Sequence, residues 1–169
     1  MLSFRALPAL AALLVGLPAA AAPNTAAVFG VELAEPGTVG PRPVRPEDAR
    51  RLGLASEALR REVAGRGLDP VDLTPQAAAI RRDAPFYKCE GCAEKIAQAA
   101  GAAYVVYGYV QRSAPQVLNL TITITEAESG KVLRGGQVVI QGDTDDTWLH
   151  GVRSLVKNRL FAEPLPNRS

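Results

Sequence analysis

Metal-ligating and nucleophilic side chains are scarce in this sequence. The chain contains one histidine, His150, and two cysteines, Cys89 and Cys92. A closed zinc site needs four ligands, so this set argues against one. A hydrolytic triad needs a nucleophile and an orienting acid beside the histidine, and the sequence has no Gly-x-Ser-x-Gly motif. We therefore predict no catalytic residue, no metal ligand and no cofactor, and interpret His150 as a surface or half-buried residue of a helix.

The sequence also has no large excess of positive or of negative charge. The chain has 19 lysines and arginines against 17 acidic residues, and loss of Arg5 with an N-terminal leader would leave 18 basic residues. Such a balance gives no broad field that would attract nucleic acid or an anionic membrane. The arginine pairs at 50–51, 60–61 and 81–82 are accordingly interpreted as solvated faces, with a patch for an acidic partner as the alternative.

Long apolar runs are confined to the N-terminus. Residues 1–22 contain one basic residue, an apolar run at 7–17 and an alanine tail. This layout is typical of a secretory signal peptide. The apolar run itself is too short to span a bilayer. We predict cleavage after Ala21 and a periplasmic or secreted protein without a transmembrane segment. An uncleaved anchor is the alternative.

The remaining chain, about 148 residues, is long enough for one domain. We predict a single domain over 22–163 and a flexible tail over 164–169. The predicted elements are strands at 26–33, 68–73, 104–112, 118–125 and 132–141, a loop at 36–46, a helix from Pro46 to Gly65, short helices from Thr74 to Arg82 and at 93–100, and a last helix capped by Asp143 or Thr144. This order predicts an α+β fold in which helices pack mainly on one face of a mixed sheet of about five strands.

The Cys89-Glu90-Gly91-Cys92 motif permits three interpretations. In an oxidising compartment the two cysteines would form a structural disulfide that pins a loop to the start of a helix. A thiol–disulfide oxidoreductase would instead use Cys89 as a thiolate, which the charge of Glu90 and the polar run at 81–88 disfavour. Metal binding is the third and weakest interpretation. Asp143, Asp145 and Asp146 lack the spacing of a calcium loop and are interpreted as helix-capping residues.

Candidate binding residues come from the alternation in the strand at 118–125. Its apolar residues alternate with Asn119, Thr121 and Thr123, so one face of the strand is predicted to be polar and exposed. Tyr107 and Tyr109 share a face of the preceding strand, either as a docking surface or as core residues. We predict a second binding feature, a mouth formed by Tyr107, Arg112 and Trp148. The proposed binding residues are Tyr107, Arg112, Asn119, Thr121, Thr123 and Trp148.

Several short segments together resemble a known family. They are Val28–Glu32, Cys89–Cys92, Ala100–Ala102, Gly108–Arg112, Asn119, Gly142–Trp148 and Lys157–Leu160. The sequence is similar in these segments to small secreted proteobacterial proteins that carry a domain-of-unknown-function label. The order of elements also resembles the amino-terminal domain of the translocation protein TolB and domains of curli-secretion and penicillin-binding-protein activator lipoproteins. These resemblances imply an interaction module whose partner is another periplasmic or envelope protein.

The sequence thus predicts a non-enzymatic periplasmic accessory or binding protein that acts through a surface. Two alternatives remain open. One is a periplasmic thiol–disulfide oxidoreductase that uses Cys89 and Cys92. The other is a carrier of a small ligand in a pocket between the sheet and the helices.

Overall fold

The computed structural model describes residues 24–34 and 44–165. The predicted leader with its cleavage site at Ala21, most of the loop at 36–46 and the last four residues of the predicted tail lie outside the described residues. The strands are β1 (Thr25–Ala34), β2 (Asp69–Pro70), β3 (Tyr104–Ala114), β4 (Val117–Glu126) and β5 (Val132–Gln141). The helices are α1 (Pro46–Ala64), α2 (Ala77–Asp83), α3 (Cys92–Ala99) and α4 (Asp145–Leu155). Short 3-10 turns at Thr74–Gln76 and Phe86–Lys88 precede α2 and α3, and a π-helical turn at Val156–Leu160 follows α4.

The strands form one five-stranded mixed sheet in the order β2-β1-β3-β4-β5. β1 pairs in parallel with β2 and β3, whereas β3–β4 and β4–β5 are antiparallel. The predicted α+β fold, a single domain around a mixed sheet of five strands, is confirmed. β2 is much shorter than the predicted strand at 68–73, because Pro70 has no N–H to donate to a sheet ladder.

The two longest helices, α1 and α4, share one face of the sheet. The alternating apolar residues of β4 all point to this face and are fully buried with side chains of α1 and α4. A smaller core on the opposite face joins Phe86 and Ile96 of the α3 region to Ala27 of β1 and Val105 of β3. The short helices therefore cover only part of that second face, and within residues 24–34 and 44–165 no helix lies over its antiparallel half.

The close fit of α1 on β1 depends on Gly30. Its φ of +90° is in the left-handed region, and a Cβ at this position would lie 2.6 Å from Ser56 Oγ. Ser56 Oγ accepts a hydrogen bond from the Val31 amide at 2.9 Å and donates one to the Leu52 carbonyl at 2.7 Å. The glycine thus lets a helix side chain replace a missing strand partner at the register shift between Val28 and Gly30.

Of the two helix starts predicted from capping residues, one differs from the structure and the other agrees with it. Thr74 does not cap a helix; its amide donates to the Asp72 carboxylate at 2.9 Å, and α2 begins only at Ala77. Thr144 caps α4 in a capping box with Thr147, which agrees with one of the two predicted alternatives, Asp143 or Thr144.

None of the helices in the described part of the chain is both long and apolar enough to cross a membrane.

Candidate functional site

The candidate site is the uncovered part of the sheet, on the side away from α1 and α4. Tyr107 of β3 lies opposite Thr123 of β4, and Tyr109 lies opposite Thr121. Val139 of β5, which lies opposite Asn119, is 54% exposed. We call this surface the open face and define it by Tyr107, Tyr109, Asn119, Thr121, Thr123, Gln137 and Val139, all of which are at least partly exposed.

The period of a strand explains why these residues share a surface. Successive side chains point to opposite faces, so the burial of Leu120 and Ile122 under α1 and α4 places Thr121 and Thr123 on the other side. Threonine suits a half-exposed strand because its branched side chain packs on the pleated surface and its hydroxyl remains hydrated. Asn119 extends the polar row, and its side-chain amide donates to the Ser113 hydroxyl.

A short loop borders the open face and is held by Glu32. The Glu32 carboxylate accepts a hydrogen bond from the Phe86 amide at 2.8 Å. Burial raises the pKa of Glu32, and the backbone hydrogen bonds from Phe86 and Tyr87 oppose this effect. Ring contacts add to the attachment: Phe29 and Phe86 have centroids 4.4 Å apart, and those of Tyr87 and Tyr109 are 5.1 Å apart. The loop is therefore fixed to the sheet beside the partly exposed Tyr107 and Tyr109.

A cavity of about 370 Å³ lies between this loop, the start of α3 and the sheet. Its lining includes Phe86, Tyr87, Lys88, Glu90, Glu94, Tyr107 and Thr125. Thr125 Oγ1 donates to Glu94 Oε1 at 2.8 Å. Burial and the charge of Glu94 both raise the pKa of Tyr107, and a hydrogen bond with Thr123 opposes them. The cavity adjoins the open face through Tyr107. The sequence left open a ligand pocket between the sheet and the helices, but it did not indicate this position, because the walls come from four separate segments.

Cys89 lines this cavity, and Cys92 lies next to it at the start of α3. Their sulfur atoms are at disulfide distance, and the Cα atoms are 5.8 Å apart. Cys92 is the first residue of α3, and Gly91 before it adopts a left-handed φ of +75°. A short 3-10 turn, and not a buried strand, precedes the motif. This arrangement ties the loop to the start of α3, in keeping with the structural interpretation of the motif.

We expect replacement of both cysteines by serine to lower the free energy of unfolding by about 2 kcal/mol, the loop-closure value for so small a ring. Urea denaturation of the oxidised protein, with and without a thiol reductant, measures the effect. The reductant should destabilise the wild-type protein by a similar amount and leave the double variant unchanged. Equal stability of the wild-type protein in both conditions would rule out a stabilising disulfide.

The predicted mouth of Tyr107, Arg112 and Trp148 does not form. Tyr107 belongs to the open face, whereas Arg112 and Trp148 lie on the other side of the sheet, with α1 and α4. Trp148 is only 1% exposed and packs in the core, and its indole Nε1 donates to Asp143 at 3.0 Å. Arg112 donates to Asp143 at 2.8 Å and to Asp48 at 2.9 Å. The prediction was wrong because strand alternation separates Tyr107 from Arg112, and because the helix start buries the indole.

Arg112 belongs to a charge network that sequence reasoning missed. Asp48, 3% exposed, also accepts two hydrogen bonds from Arg45, at 2.8 and 2.9 Å. Arg51 pairs with Asp143 at 3.1 Å and with Asp145 at 3.2 Å. The pair at 50–51 was interpreted as a solvated face, but the Arg51 side chain is only 15% exposed, and Arg50 donates to Asp145. This network joins the starts of α1 and α4 to the end of β3.

The electrostatics of Asp143 reflect these contacts. Burial by itself would raise the pKa of this carboxyl, but hydrogen bonds from Arg112 and Trp148 and the charges of Arg112 and Arg51 lower it overall. Asp143 is therefore a structural anion that holds the Trp148 indole and three guanidinium groups, those of Arg112, Arg51 and Arg45. Within residues 24–34 and 44–165, no three metal-ligating side chains lie close enough together to hold a metal ion. His150 is exposed on α4.

Known structures share this fold at low sequence identity. The C-terminal domain of LpoB from Salmonella enterica is 19% identical, with coverage of 73% of this chain and 86% of that domain and a TM-score of 0.51. The corresponding domain from Escherichia coli is 18% identical, with coverage of 76% and 90% and a TM-score of 0.50. Lipoprotein GNA1162 from Neisseria meningitidis is 16% identical, with coverage of 85% and 100% and a TM-score of 0.53. These likenesses concern the fold alone, and the resemblance to TolB stays a prediction.

No match was found among proteins with curated functions. A family model with the description "Protein of unknown function (DUF2380)" matches residues 24–160, which include every strand and helix described above. The predicted membership of a domain-of-unknown-function family is thereby confirmed. The chain belongs to the family that this model describes, which is labelled DUF3280.

Proposed function

We propose that this protein is a non-enzymatic accessory protein of the bacterial envelope that binds another envelope protein through the open face. The observation that carries the proposal is the one-sided cover of the sheet: α1 and α4 bury one face, while no helix of the described residues lies over the antiparallel half of the other face. The leader-like sequence at 1–22 supports an exported, periplasmic protein. The similar fold of a lipoprotein, GNA1162, is consistent with an envelope location.

The chemistry of the open face suits protein recognition. Tyrosine is enriched in interfaces because its ring has a large apolar area and its hydroxyl group can donate a hydrogen bond. Tyr107 and Tyr109 lie beside the row of Asn119, Thr121 and Thr123. The side chains of this row contain hydrogen-bond donors and acceptors but no charged group. Val139 adds an exposed apolar contact at 54% exposure. Such a surface can bury apolar area and still satisfy polar groups of a partner.

The neighbouring edge of the sheet adds to this surface. β5 is the last strand in the sheet order, so one side of its backbone has no partner among the strands that the structure describes. Unpaired N–H and C=O groups of an edge strand can accept an added strand from another chain. A partner that reaches over the edge would contact Gln137 and Val139 first and then the threonine row of β4. The open face and the free edge therefore form one continuous surface.

We expect Thr121→Arg to reduce capture of the partner at least tenfold, because a long charged side chain in the centre of the open face blocks close contact. The measurement is a crosslinking pull-down from the native periplasm, quantified by mass spectrometry and run with and without reductant. Ala64→Arg is the matched control, since it places the same side chain on an exposed position of α1. Circular dichroism verifies that both variants fold.

Wild type and Ala64→Arg should enrich the same partner, and Thr121→Arg should not. Equal enrichment by all three proteins would contradict the assignment of the open face. Absence of any protein enriched by the wild type over an unrelated periplasmic bait would contradict the accessory function itself.

A further inference from the structure

We propose that the cavity between the loop at 86–91, α3 and the β3–β4 strands receives the guanidinium or ammonium group of a basic side chain of the partner. The inference rests on the proposed function, because the cavity opens beside Tyr107 at the border of the open face. It adds the chemical class of the group that the partner must present.

The first argument is the carboxylate of Glu94. This side chain is half-buried at the cavity wall and accepts a hydrogen bond from Thr125, which is itself 2% exposed. Among the residues that the structure describes, no lysine or arginine forms an ion pair with Glu94. A half-buried carboxylate gains most from a cation, since the reduced dielectric strengthens the attraction. The position next to Glu94 is thus the favoured place for a positive group.

The second argument is the aromatic wall. Phe86, Tyr87 and Tyr107 line the cavity, and the faces of aromatic rings attract cations. The ring of Tyr87 already has a cation over it: Lys88 Nζ lies 5.4 Å from its centroid. A carboxylate and several rings around one space are the arrangement by which proteins recognise ammonium and guanidinium groups.

The third argument is the balance of charge and size. Two carboxylates, Glu90 and Glu94, line the cavity against one ammonium group, that of the exposed Lys88. This balance disfavours an anionic ligand and favours a cation. The volume of about 370 Å³ lies within the range of ligand pockets and holds a guanidinium group with its aliphatic stem. The cavity thus accommodates a single side chain, so recognition of that side chain does not require a folded partner.

The test uses a pair of capped tripeptides, acetyl-Gly-Arg-Gly-amide and its citrulline counterpart, which replaces the guanidinium by a neutral urea of the same shape. Each peptide is titrated into the purified, oxidised, ¹⁵N-labelled protein, and amide chemical shifts are followed. We expect the arginine peptide to shift the amides of Gly91, Glu94 and Tyr107. The citrulline peptide should bind at least tenfold more weakly.

Glu94→Gln should reduce affinity for the arginine peptide at least tenfold, since the amide retains an acceptor for Thr125 but has no charge. Glu57→Gln, an exposed position on α1 at the other face of the sheet, should not change it. Equal affinity for the two peptides, an unchanged affinity in Glu94→Gln, or shifts confined to another region would each overturn the inference. The peptide pair gives this answer on the wild-type protein even if the variant unfolds.

Failure of the cavity and failure of the proposed function are distinguishable. If the arginine peptide does not bind at the cavity but Thr121→Arg abolishes capture of the partner, the inference falls and the open face stands. A second outcome is that the arginine peptide binds at the cavity but Thr121→Arg captures the partner normally. The open face would then not be the binding surface, and the inference that the cavity receives a basic side chain of this partner would also be wrong.

Discussion

Replacement of Trp148 by alanine is expected to lower the free energy of unfolding by about 3–5 kcal/mol, the range for loss of a large buried side chain. The indole is 1% exposed and packs in the main core with α1 and the sheet. Its Nε1 also donates to Asp143 at 3.0 Å, so the substitution leaves a carboxylate with one donor fewer. Urea denaturation followed by circular dichroism measures the change.

Two control variants separate the causes. Trp148→Phe retains most of the ring volume but removes the N–H donor, and we expect a loss of about 1–2 kcal/mol. Val139→Ala shortens an apolar side chain that is 54% exposed, and we expect a change below about 0.5 kcal/mol. Unchanged stability of Trp148→Ala together with lost partner capture would contradict a core role and would instead make the indole an interface anchor.

Replacement of Arg112 by methionine is expected to lower the free energy of unfolding by about 3 kcal/mol at neutral pH. The guanidinium donates to Asp48 and Asp143 at 2.9 and 2.8 Å. Asp48 is 3% exposed, so loss of a cationic partner leaves a buried carboxylate less compensated. Arg61→Met is the matched control, because the Arg61 side chain is 68% exposed and its contact with Glu57 is 3.8 Å long. We expect the control to change stability by less than about 0.5 kcal/mol.

The effect of Arg112→Met should depend on pH. The pKa of Asp143 is lowered in the folded state, so its ionic contacts stabilise the protein above the ordinary aspartate pKa of about 3.9. That contribution is lost as the pH falls through the lowered value in the folded state. The difference in stability between wild type and variant should therefore shrink below about pH 4. A difference that is the same at pH 3 and pH 7 would show that packing of the Arg112 stem, and not charge, is responsible.

The open face was predictable because a strand has a period of two. Asn119, Thr121 and Thr123 follow from the alternation of β4, and the pairing with Tyr107 and Tyr109 follows once β3 and β4 form a hairpin. The local pattern of β4 predicts the polar row alone, whereas Tyr107 was predicted in a mouth with Arg112 and Trp148 that does not form. That these residues bind a partner stays a proposal.

The charge network and the cavity were not predictable in the same way. Arg112 is separated by 64 residues from Asp48 and by 31 from Asp143, and no local spacing indicates such pairs. The same holds for Trp148, whose burial depends on how α4 packs against α1 and the sheet. The cavity needs the loop at 86–91 to fold back on β3, which Glu32 secures from a strand 54 residues away. Long-range pairing, and not composition, decides these features.

Under the proposed function, the two sides of the sheet have different roles. The main core and the network of Asp48, Arg112 and Asp143 stabilise the side with α1 and α4. The other side has a smaller core at one end and leaves Thr121 and Thr123 accessible. Substitutions on the first side should therefore act through stability, and those on the open face through binding at constant stability.

The most direct measurement is site-specific photocrosslinking in living cells. A photoreactive benzoylphenylalanine is placed in turn at Thr121 on the open face and at Arg153, an exposed position of α4 on the opposite side. We predict one discrete adduct with an envelope protein from position 121 and none from position 153. Adducts from position 153 with none from position 121 would contradict the claim that this protein acts through the bare half of its sheet.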